Sequence, residues 1–203
     1  GSNAAASGGA AKLEKMPDDN SCLFHAVSFL IQPPGVSQVQ QLRQAIVQEV
    51  TSSGRWDPAT LGKPVKEYCE FINDPRRWGG QVELAIFAAA FNCEIAVVDV
   101  QSGRLDVYGE GSGFSQRVYM LYTGMHFDAV LFGGTRIVSP GDRSAEAQAK
   151  ALAGQQRASG SFSDQDTMRL KCKICGVIVT GDYEARVHAG TEQQFNQWVK
   201  SVQ

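Results

Sequence analysis

The chain has 203 residues and a mass of 21.9 kDa, enough for one ordinary domain with a small appendage, which excludes a large multidomain assembly. Lys and Arg number 19 against 21 Asp and Glu, so a formal net charge of −2 provides no basic field for nucleic acid. The longest apolar run, residues 84–91, is far shorter than the roughly 20 residues of a membrane-spanning helix. The composition therefore predicts a soluble globular protein.

The cysteines restrict the cellular setting. An odd number at irregular spacing does not build a closed disulfide framework, so we expect a reducing, cytoplasmic environment. There, each thiol is a core filler, a metal ligand or a nucleophile. The cysteines are Cys22, Cys69, Cys93, Cys172 and Cys175.

The first half of the chain predicts a leader followed by helices. Residues 1–15 are rich in Ala and Gly without periodicity, so we expect an expression scar and a disordered leader. The nearly continuous apolar run at 22–31, closed by two prolines, predicts a buried helix. Apolar residues at steps of three and four predict further helices at 38–51, 64–72 and 80–91.

The pattern then changes to short β-branched segments, which predict strands at 94–100, 105–107, 117–122 and 127–132. Helices followed by strands indicate an α+β fold, in which a small twisted β-sheet is flanked by helices. An Ala-rich helix and a flexible linker are expected after residue 140. The last segment, 168–203, is too short to form a core without help.

Cys22 stands directly after a turn-forming cluster, at the first turn of the predicted apolar helix. Unpaired backbone N–H groups and the positive end of the helix dipole favour a thiolate at that position. The same amides are placed to hold the oxyanion of an acyl-transfer intermediate. From this segment alone, a nucleophile and a packed cysteine remain equal alternatives.

His126 and Asp128 are two residues apart on a predicted strand, so their side chains project to the same face. An imidazole with a neighbouring carboxylate supplies a general base and the group that orients it. Together with Cys22 they provide the nucleophile, base and orienter of a cysteine hydrolase. Taken alone, His126 would instead be interpreted as a hydrogen-bonded histidine at a strand end.

At these residues the chain resembles the ovarian-tumour (OTU) family of deubiquitinating cysteine proteases. Residues 19–24 match the family's Asp-x-x-Cys-Leu-Phe cysteine loop, and residues 126–128 match its His-aromatic-Asp box. Residues 78–83 match its Trp-Gly-Gly-x-x-Glu helix. The similarity is closest to the OTU1-type branch, whose members work with the ATPase valosin-containing protein.

The resemblance implies an α/β cysteine-protease domain over residues 16–135, followed by an Ala-rich helix and linker at 136–167. The implied reaction is hydrolysis of the isopeptide bond between ubiquitin and lysine, without a catalytic cofactor, in the ubiquitin–proteasome pathway and ER-associated degradation. Ubiquitin and polyubiquitin chains are the implied substrates of a monomeric enzyme. Valosin-containing protein is an implied partner of the full-length protein only.

The resemblance also assigns roles to individual residues. Cys22 is expected to be the nucleophile, His126 the base and Asp128 its orienter, while Asp19 is expected to shape the oxyanion site. The residues expected to line the approach to the thiol are Trp78, Gly79, Gly80 and Glu83, since small residues let an extended tail come close to the backbone. Ordinary glycine helix-entry geometry beside a packed Trp is the alternative. The remaining candidates in apolar patterns are assigned to packing: His25, Cys69 and Cys93.

The segment 168–203 resembles the carboxy-terminal zinc finger of the same branch. Cys172, Cys175 and His188 have the spacing of three ligands in a Cys2His2 site, but residue 194, where the branch has its second histidine, is Gln. Either an unusual donor such as Glu192 completes a structural zinc site, or the finger is degenerate and holds no metal. In the second case side-chain contacts would fold it, from Val177, Ile178, Phe195 and Trp198.

Two alternatives to an active deubiquitinase stay open. The altered finger would suit a catalytically silent module that binds ubiquitin without cleaving it. A zinc-dependent interaction domain is the other alternative, and it would require stoichiometric metal.

Overall fold

A computed structural model describes residues 9–32, 38–164, 168–172, 175–189 and 198–200. The elements follow in the order β1 Ala11–Glu14, α1 Cys22–Ile31, α2 Val39–Ser52, α3 Pro58–Leu61, α4 Val65–Asn73, α5 Gln81–Phe91, β2 Glu94–Asp99, β3 Leu105–Tyr108, β4 Arg117–Tyr122, β5 Phe127–Phe132, α6 Arg143–Ala158, β6 Arg169–Cys172, β7 Ile178–Thr180, α7 Gly181–Ala189 and β8 Trp198–Lys200. The predicted α+β class is confirmed, as are the helices and strands expected between residues 22 and 158.

A mixed five-stranded sheet, in the order β1-β5-β4-β2-β3, organises the larger part of the molecule. β2 and β4 run parallel at its centre, whereas the other neighbouring strands are antiparallel. β4 and β5 form a hairpin, and the amide of Thr123 donates to the carbonyl of His126 at 3.0 Å to close its turn. The hairpin therefore delivers His126 to the start of β5.

Each face of this sheet has its own hydrophobic core. On one face α1 and α5 pack against the sheet, and α2 and α4 complete the same core from behind these helices, with buried residues such as Phe24, Ile46, Phe87 and Met120. The opposite face packs against α6, whose buried side is mostly alanine. Small side chains let this helix lie close to the sheet, so the sheet is covered on both sides.

The amino-terminal part differs from its predicted structure. The expectation of a disordered leader up to residue 15 is wrong for residues 11–14, which form β1 and pair with β5 in register from Ala11 opposite Phe132 to Glu14 opposite Ala129. Leu13 is half-buried against the α6 face of the sheet. Four residues are too few for a periodicity signal, so the strand depends on the edge that β5 offers.

The carboxy-terminal segment forms a second, small unit. β6 pairs with β7 and β8 in a three-stranded antiparallel sheet, and α7 follows β7. Its core among the described residues consists of Leu170, Cys172 and Ala185. Within the described ranges, no helix combines the length and the apolar character needed to cross a membrane.

Candidate active site

Cys22 is the first residue of α1, and it lies half-buried at the edge of a groove. The hydroxyl of Ser21, the N-cap residue, accepts a hydrogen bond from Arg43 at 3.0 Å instead of capping the helix. The amides of the first turn thus face the region of the thiol without a side-chain cap. This arrangement suits an anion, such as the oxyanion of an acyl-transfer intermediate.

The imidazole of His126 is hydrogen-bonded to a buried carboxylate. Its Nε2 is 3.1 Å from Oδ1 of Asp128. The hydrogen bond to Asp128 and then the hydrogen bond to Cys22 raise the pKa of His126 to about 10, against the opposing effect of burial. At neutral pH the ring is therefore the doubly protonated imidazolium, which can act as a general acid toward a leaving group.

Asp128 is fully buried and receives three hydrogen bonds. Its Oδ1 accepts from His126 and from the backbone N–H of Met16 at 2.8 Å, and its Oδ2 accepts from Nζ of Lys15 at 2.8 Å. Burial by itself would raise the pKa of Asp128, but the hydrogen bonds from His126, Lys15 and Met16 hold it below its ordinary value. The carboxylate is thus charged and fixed in position beside the imidazole.

Asp19 lies in the cysteine loop and contacts neither Cys22 nor His126 in the hydrogen bonds described. Its Oδ1 accepts from the amide of Ser21 at 2.7 Å, and its Oδ2 lies 2.9 Å from Nε2 of His25. The residue therefore shapes the loop that precedes the thiol. Assigning His25 to packing was wrong, since its ring reaches the partly exposed Asp19.

Asp18 was not singled out in the sequence, yet it lies closer to the imidazole. Its Oδ1 is 3.8 Å from Nδ1 of His126, and its side chain is fully exposed. No motif or spacing in the sequence singles out this solvent-exposed carboxylate, which directly precedes Asp19. Only the folded loop places it beside the ring.

Arg43 is a second residue that sequence reasoning missed. It is fully buried on α2 and donates to the carbonyls of Ile72 at 2.9 Å and Arg77 at 2.8 Å, as well as to Ser21. The guanidinium also stacks 3.9 Å above the ring of Phe24, and burial lowers its pKa. It thereby ties the cysteine loop to the loop before α5. Its spacing from apolar neighbours puts it on the apolar face of α2, a signal that could have identified it.

The Trp-Gly-Gly segment lines the same groove as Cys22. Nε1 of Trp78 donates to Oδ1 of Asn20 at 2.8 Å, which links it to the cysteine loop. A Cβ on Gly79 would come within 3.1 Å of the Phe24 ring, so the backbone passes close to α1 there. Gly80 is the N-cap of α5.

Glu83 occupies a different place from the one expected. It is 5% exposed, and its Oε2 accepts from the amide of Gly80 at 2.6 Å while its Oε1 accepts from the hydroxyl of Tyr68. A carboxylate at the third position of a helix commonly caps its first turn in this way. The residue thus faces the interior and fixes the start of α5, whereas Trp78, Gly79 and Gly80 line the groove.

Two cavities meet at the site. The groove beside Cys22 has a volume of about 160 Å³ and is lined on its far wall by Tyr108, Tyr122 and Phe127. A larger cavity of about 820 Å³ is lined by His126, Asp128 and residues 160–163. Asn20, Trp78 and Met125 line both cavities. A narrow, mostly apolar groove that includes Cys22 therefore adjoins a wider cavity that includes His126.

The other cysteines of the larger domain are placed as packing residues. Cys93 is fully buried, and burial raises the pKa of its thiol to about 12. Cys69 is half-buried, and burial likewise raises the pKa of its thiol. Both environments disfavour a thiolate.

Cys172, Cys175 and His188 come together in the carboxy-terminal unit. Their ligand atoms lie within 4.8 Å of one another, and Sγ of Cys175 is 3.2 Å from Nε2 of His188. Two thiols and an imidazole form a donor set that suits zinc. Glu192 and Phe195 lie outside the described residues, as does the side chain of Trp198.

The metal-free alternative assigned packing roles to Val177 and Ile178, and the structure does not place them in a core. Both side chains are 45% exposed. The described core of the unit is formed instead by Leu170, Cys172 and Ala185.

Comparison with known proteins agrees with this geometry. A profile of the family described as OTU-like cysteine protease matches residues 17–131. Ubiquitin thioesterase OTU1 of Gallus gallus is 37% identical over 186 residues, covering 86% of this chain and 61% of its own length. The OVARIAN TUMOR DOMAIN-containing deubiquitinating enzyme 2 of Arabidopsis thaliana is 35% identical over 195 residues, covering 89% of this chain and 93% of its own.

The chain spans only part of several longer relatives, for example 53% of Ubiquitin thioesterase OTU1 of Homo sapiens. Among solved structures, an ovarian tumor domain in complex with ubiquitin superposes with a TM-score of 0.68 at 27% identity, covering 75% of this chain and 90% of that domain. The OTUD1 OTU domain, at a TM-score of 0.51 and 19% identity, shares the fold.

Proposed function

Since this chain belongs to the OTU-like cysteine protease family, we propose that it is a deubiquitinase that hydrolyses isopeptide bonds between ubiquitin and lysine side chains. The observation that carries the proposal is the imidazole of His126, which is hydrogen-bonded to the buried Asp128 and lies near enough to the Cys22 thiol for that thiol to raise its pKa. The solved ovarian tumor domain bound to ubiquitin supports the choice of substrate.

Catalysis begins with attack of the Cys22 thiolate on the carbonyl carbon of the isopeptide bond. The oxyanion that forms is stabilised by amides at the start of α1. The imidazolium of His126 then gives its proton to the lysine nitrogen, the carbon–nitrogen bond breaks, and a thioester between ubiquitin and Cys22 remains. Neutral His126 next removes a proton from water as the water oxygen attacks the thioester carbonyl. The carbon–sulfur bond then breaks, the Cys22 thiolate leaves beside the imidazolium of His126, and the new ubiquitin carboxyl group loses its proton to solvent.

The remaining residues hold this arrangement. Asp128 fixes the orientation of the imidazole through its bond to Nε2 and stabilises the imidazolium form. Asp19 fixes the amide of Ser21 and thereby the loop that precedes Cys22. The groove lined by Gly79 and Gly80 would take the extended ubiquitin tail, because glycine lets a peptide approach the backbone closely. Glu83 acts by fixing the start of α5.

The test is a ubiquitin whose carboxyl terminus carries a thiol-reactive electrophile. Under reducing conditions we expect one covalent adduct with the wild-type chain and none with Cys22→Ala or His126→Ala. Cys69→Ala is the matched control, because its thiol lies away from the groove, and it should react like wild type. Saturable ubiquitin binding with neither an adduct nor cleavage of di-ubiquitin would favour the silent binding module and overturn the proposal.

For the carboxy-terminal unit, we propose a structural zinc site in which Cys172, Cys175 and His188 are three of the four ligands that such a site takes, with the fourth ligand not assigned. Bound zinc would cross-link β6 to α7 and stabilise a unit whose apolar core is small. Elemental analysis of the purified chain is expected to give one zinc per molecule, reduced in Cys175→Ser but not in Cys69→Ser. A metal-free chain that melts like the zinc-supplemented one would contradict the site.

The wider setting is proposed from the same family membership. We propose a cytoplasmic, monomeric enzyme in which β1 joins the catalytic domain expected at 16–135, followed by a helix and linker at 136–167 and a finger-like unit at 168–203. Polyubiquitin chains are the proposed physiological substrates, in ER-associated degradation. For the full-length protein, valosin-containing protein is the proposed partner, which co-purification from cells would test.

A further inference from the structure

The segment that follows α6 lies against the turn that carries His126. This segment, residues 160–163, is called the strap here. Ser163 is 7% exposed, and its backbone N–H donates to the carbonyl of Thr123 at 2.7 Å. The ring of Phe162 packs on the α6 side of the sheet and anchors the strap. The strap also lines the larger cavity together with His126.

The contact between strap and turn is a close approach of two backbones. Gly124 has a φ of +93°, and a Cβ added to it would lie 2.1 Å from the carbonyl oxygen of Ser163. No side chain fits there, so only glycine allows the strap to sit on the turn. The hydroxyl of Tyr122 also donates to the carbonyl of Gly124 and holds the turn from the other direction.

Thr123 passes this contact on to the catalytic residue. Its carbonyl accepts a hydrogen bond from the N–H of Ser163 in the strap. Its own N–H and hydroxyl donate to the carbonyl of His126 at 3.0 and 3.3 Å. The backbone of Thr123 is therefore bonded on one side to Ser163 and on the other to His126. A small rotation of this residue would tilt the imidazole away from Cys22.

We propose that the strap is a positioning element of the active site, in which the backbone N–H of Ser163 holds the His126 turn in its reactive orientation. Catalysis is sensitive to such orientation, because sub-ångström displacement of a proton-transferring group lowers the rate without affecting substrate binding. The strap precedes the finger-like unit in the chain. The carbonyl of Asp164, the residue after the strap, accepts a hydrogen bond from the amide of Met168 at the start of that unit. The segment expected to be a flexible linker is thus part of the catalytic apparatus.

The experiment compares Ser163→Pro, which removes the N–H, with Ser163→Ala, which keeps it. The assay measures hydrolysis of ubiquitin carrying a fluorogenic amide, a readout that rests on the proposed function. For Ser163→Pro we expect kcat to fall about five- to tenfold with KM unchanged, matching the loss of one buried hydrogen bond. The alkaline limb of its pH profile should also move to lower pH, because His126 is held less firmly. Ser163→Ala is expected to retain most of the wild-type kcat.

Equal kcat values and pH profiles in the two variants would overturn the inference, even if the proline variant melts at a lower temperature. If Ser163→Pro does not fold, Phe162→Ala tests the same idea by loosening the anchor, and an unchanged kcat there counts against the strap. An inactive wild-type chain would instead contradict the proposed function, so the two failures are distinguishable.

Discussion

The backbone N–H of Met16 donates to Oδ1 of Asp128 across 112 positions of sequence, at 2.8 Å. The same oxygen accepts from His126, and the neighbouring Lys15 reaches the other oxygen. The residues directly after β1 thus hold the carboxylate that orients the catalytic imidazole. Strand β1 is therefore part of the active-site scaffold, although it lies at the edge of the sheet.

Replacing Lys15 with Met should make the chain more sensitive to acid. Because Lys15 helps to lower the pKa of Asp128, its loss raises that pKa. A carboxylate whose pKa is lowered by folding contributes stability above its pKa in the unfolded chain. That stability is lost as the pH falls through its pKa in the folded protein, so the loss begins at higher pH in the variant. At neutral pH the cost should be only about 0.5–1 kcal/mol, since the ammonium is 63% exposed. Urea unfolding between pH 3 and 7 measures both effects, with Lys12→Met as the control.

Asp128→Asn should move the alkaline limit of activity to lower pH. The hydrogen bond to Asp128 is the largest cause of the raised pKa of His126, about 10, so its loss moves that pKa back towards 6.5. In the wild-type chain, the stability contributed by the protonated ring is fully present below pH 6.5 and is lost as the pH rises through about 10. In the variant the folded pKa is lower, so this loss begins at a lower pH. We expect a fall in kcat of roughly 100-fold, typical of impaired acid–base catalysis.

Rate measurements from pH 6 to 10, with NMR titration of the His126 ring, give both quantities for that variant. The exposed Glu110→Gln should behave like wild type. An unchanged pKa in Asp128→Asn would show that another group holds the proton.

Arg43→Met should destabilise the fold strongly. The substitution keeps the apolar stem but leaves the buried carbonyl of Ile72 and the partly buried carbonyl of Arg77 without this donor. Each buried acceptor left unsatisfied costs about 1–3 kcal/mol, so we expect a total of roughly 3–5 kcal/mol. Urea denaturation measures the loss, and the reaction of Cys22 with the ubiquitin electrophile should slow. Arg55→Met, which removes an exposed ion pair with Glu49, should change stability by less than about 0.5 kcal/mol.

Gly79→Ala and Gly154→Ala should change stability in opposite directions. At Gly79 a Cβ comes within 3.1 Å of the Phe24 ring and 3.3 Å of Leu23, and crowding of this kind costs about 1–3 kcal/mol. At Gly154, within α6, no atom lies within 4 Å of an added Cβ, so alanine should stabilise the helix by about 0.5–1 kcal/mol. Thermal unfolding of the two variants checks the signs. If the melting temperature rose in both variants, the added Cβ at Gly79 would be accommodated by a shift of α1 away from the Gly79 backbone.

Local patterns were enough to predict much of this molecule. Apolar residues at steps of three and four predicted α2, α4 and α5, and β-branched segments predicted strands of the larger sheet. The two-residue spacing of His126 and Asp128 predicted that they share a face, and their side chains are indeed hydrogen-bonded. Helix and strand periodicity depends on near neighbours in sequence, which is why these features could be predicted without the fold.

By itself, then, the sequence determined the α+β class, the position of Cys22 at a helix start and its association with an imidazole and a carboxylate. Only the tertiary structure decided what surrounds them: Lys15 and Met16 on Asp128, Arg43 beneath the cysteine loop, Ser163 on the catalytic turn and Glu83 turned to the interior. Such contacts join residues 22 to 113 positions apart, or depend on which side of a helix is covered. Local sequence patterns do not predict these contacts, because the contacts form only when distant elements pack together.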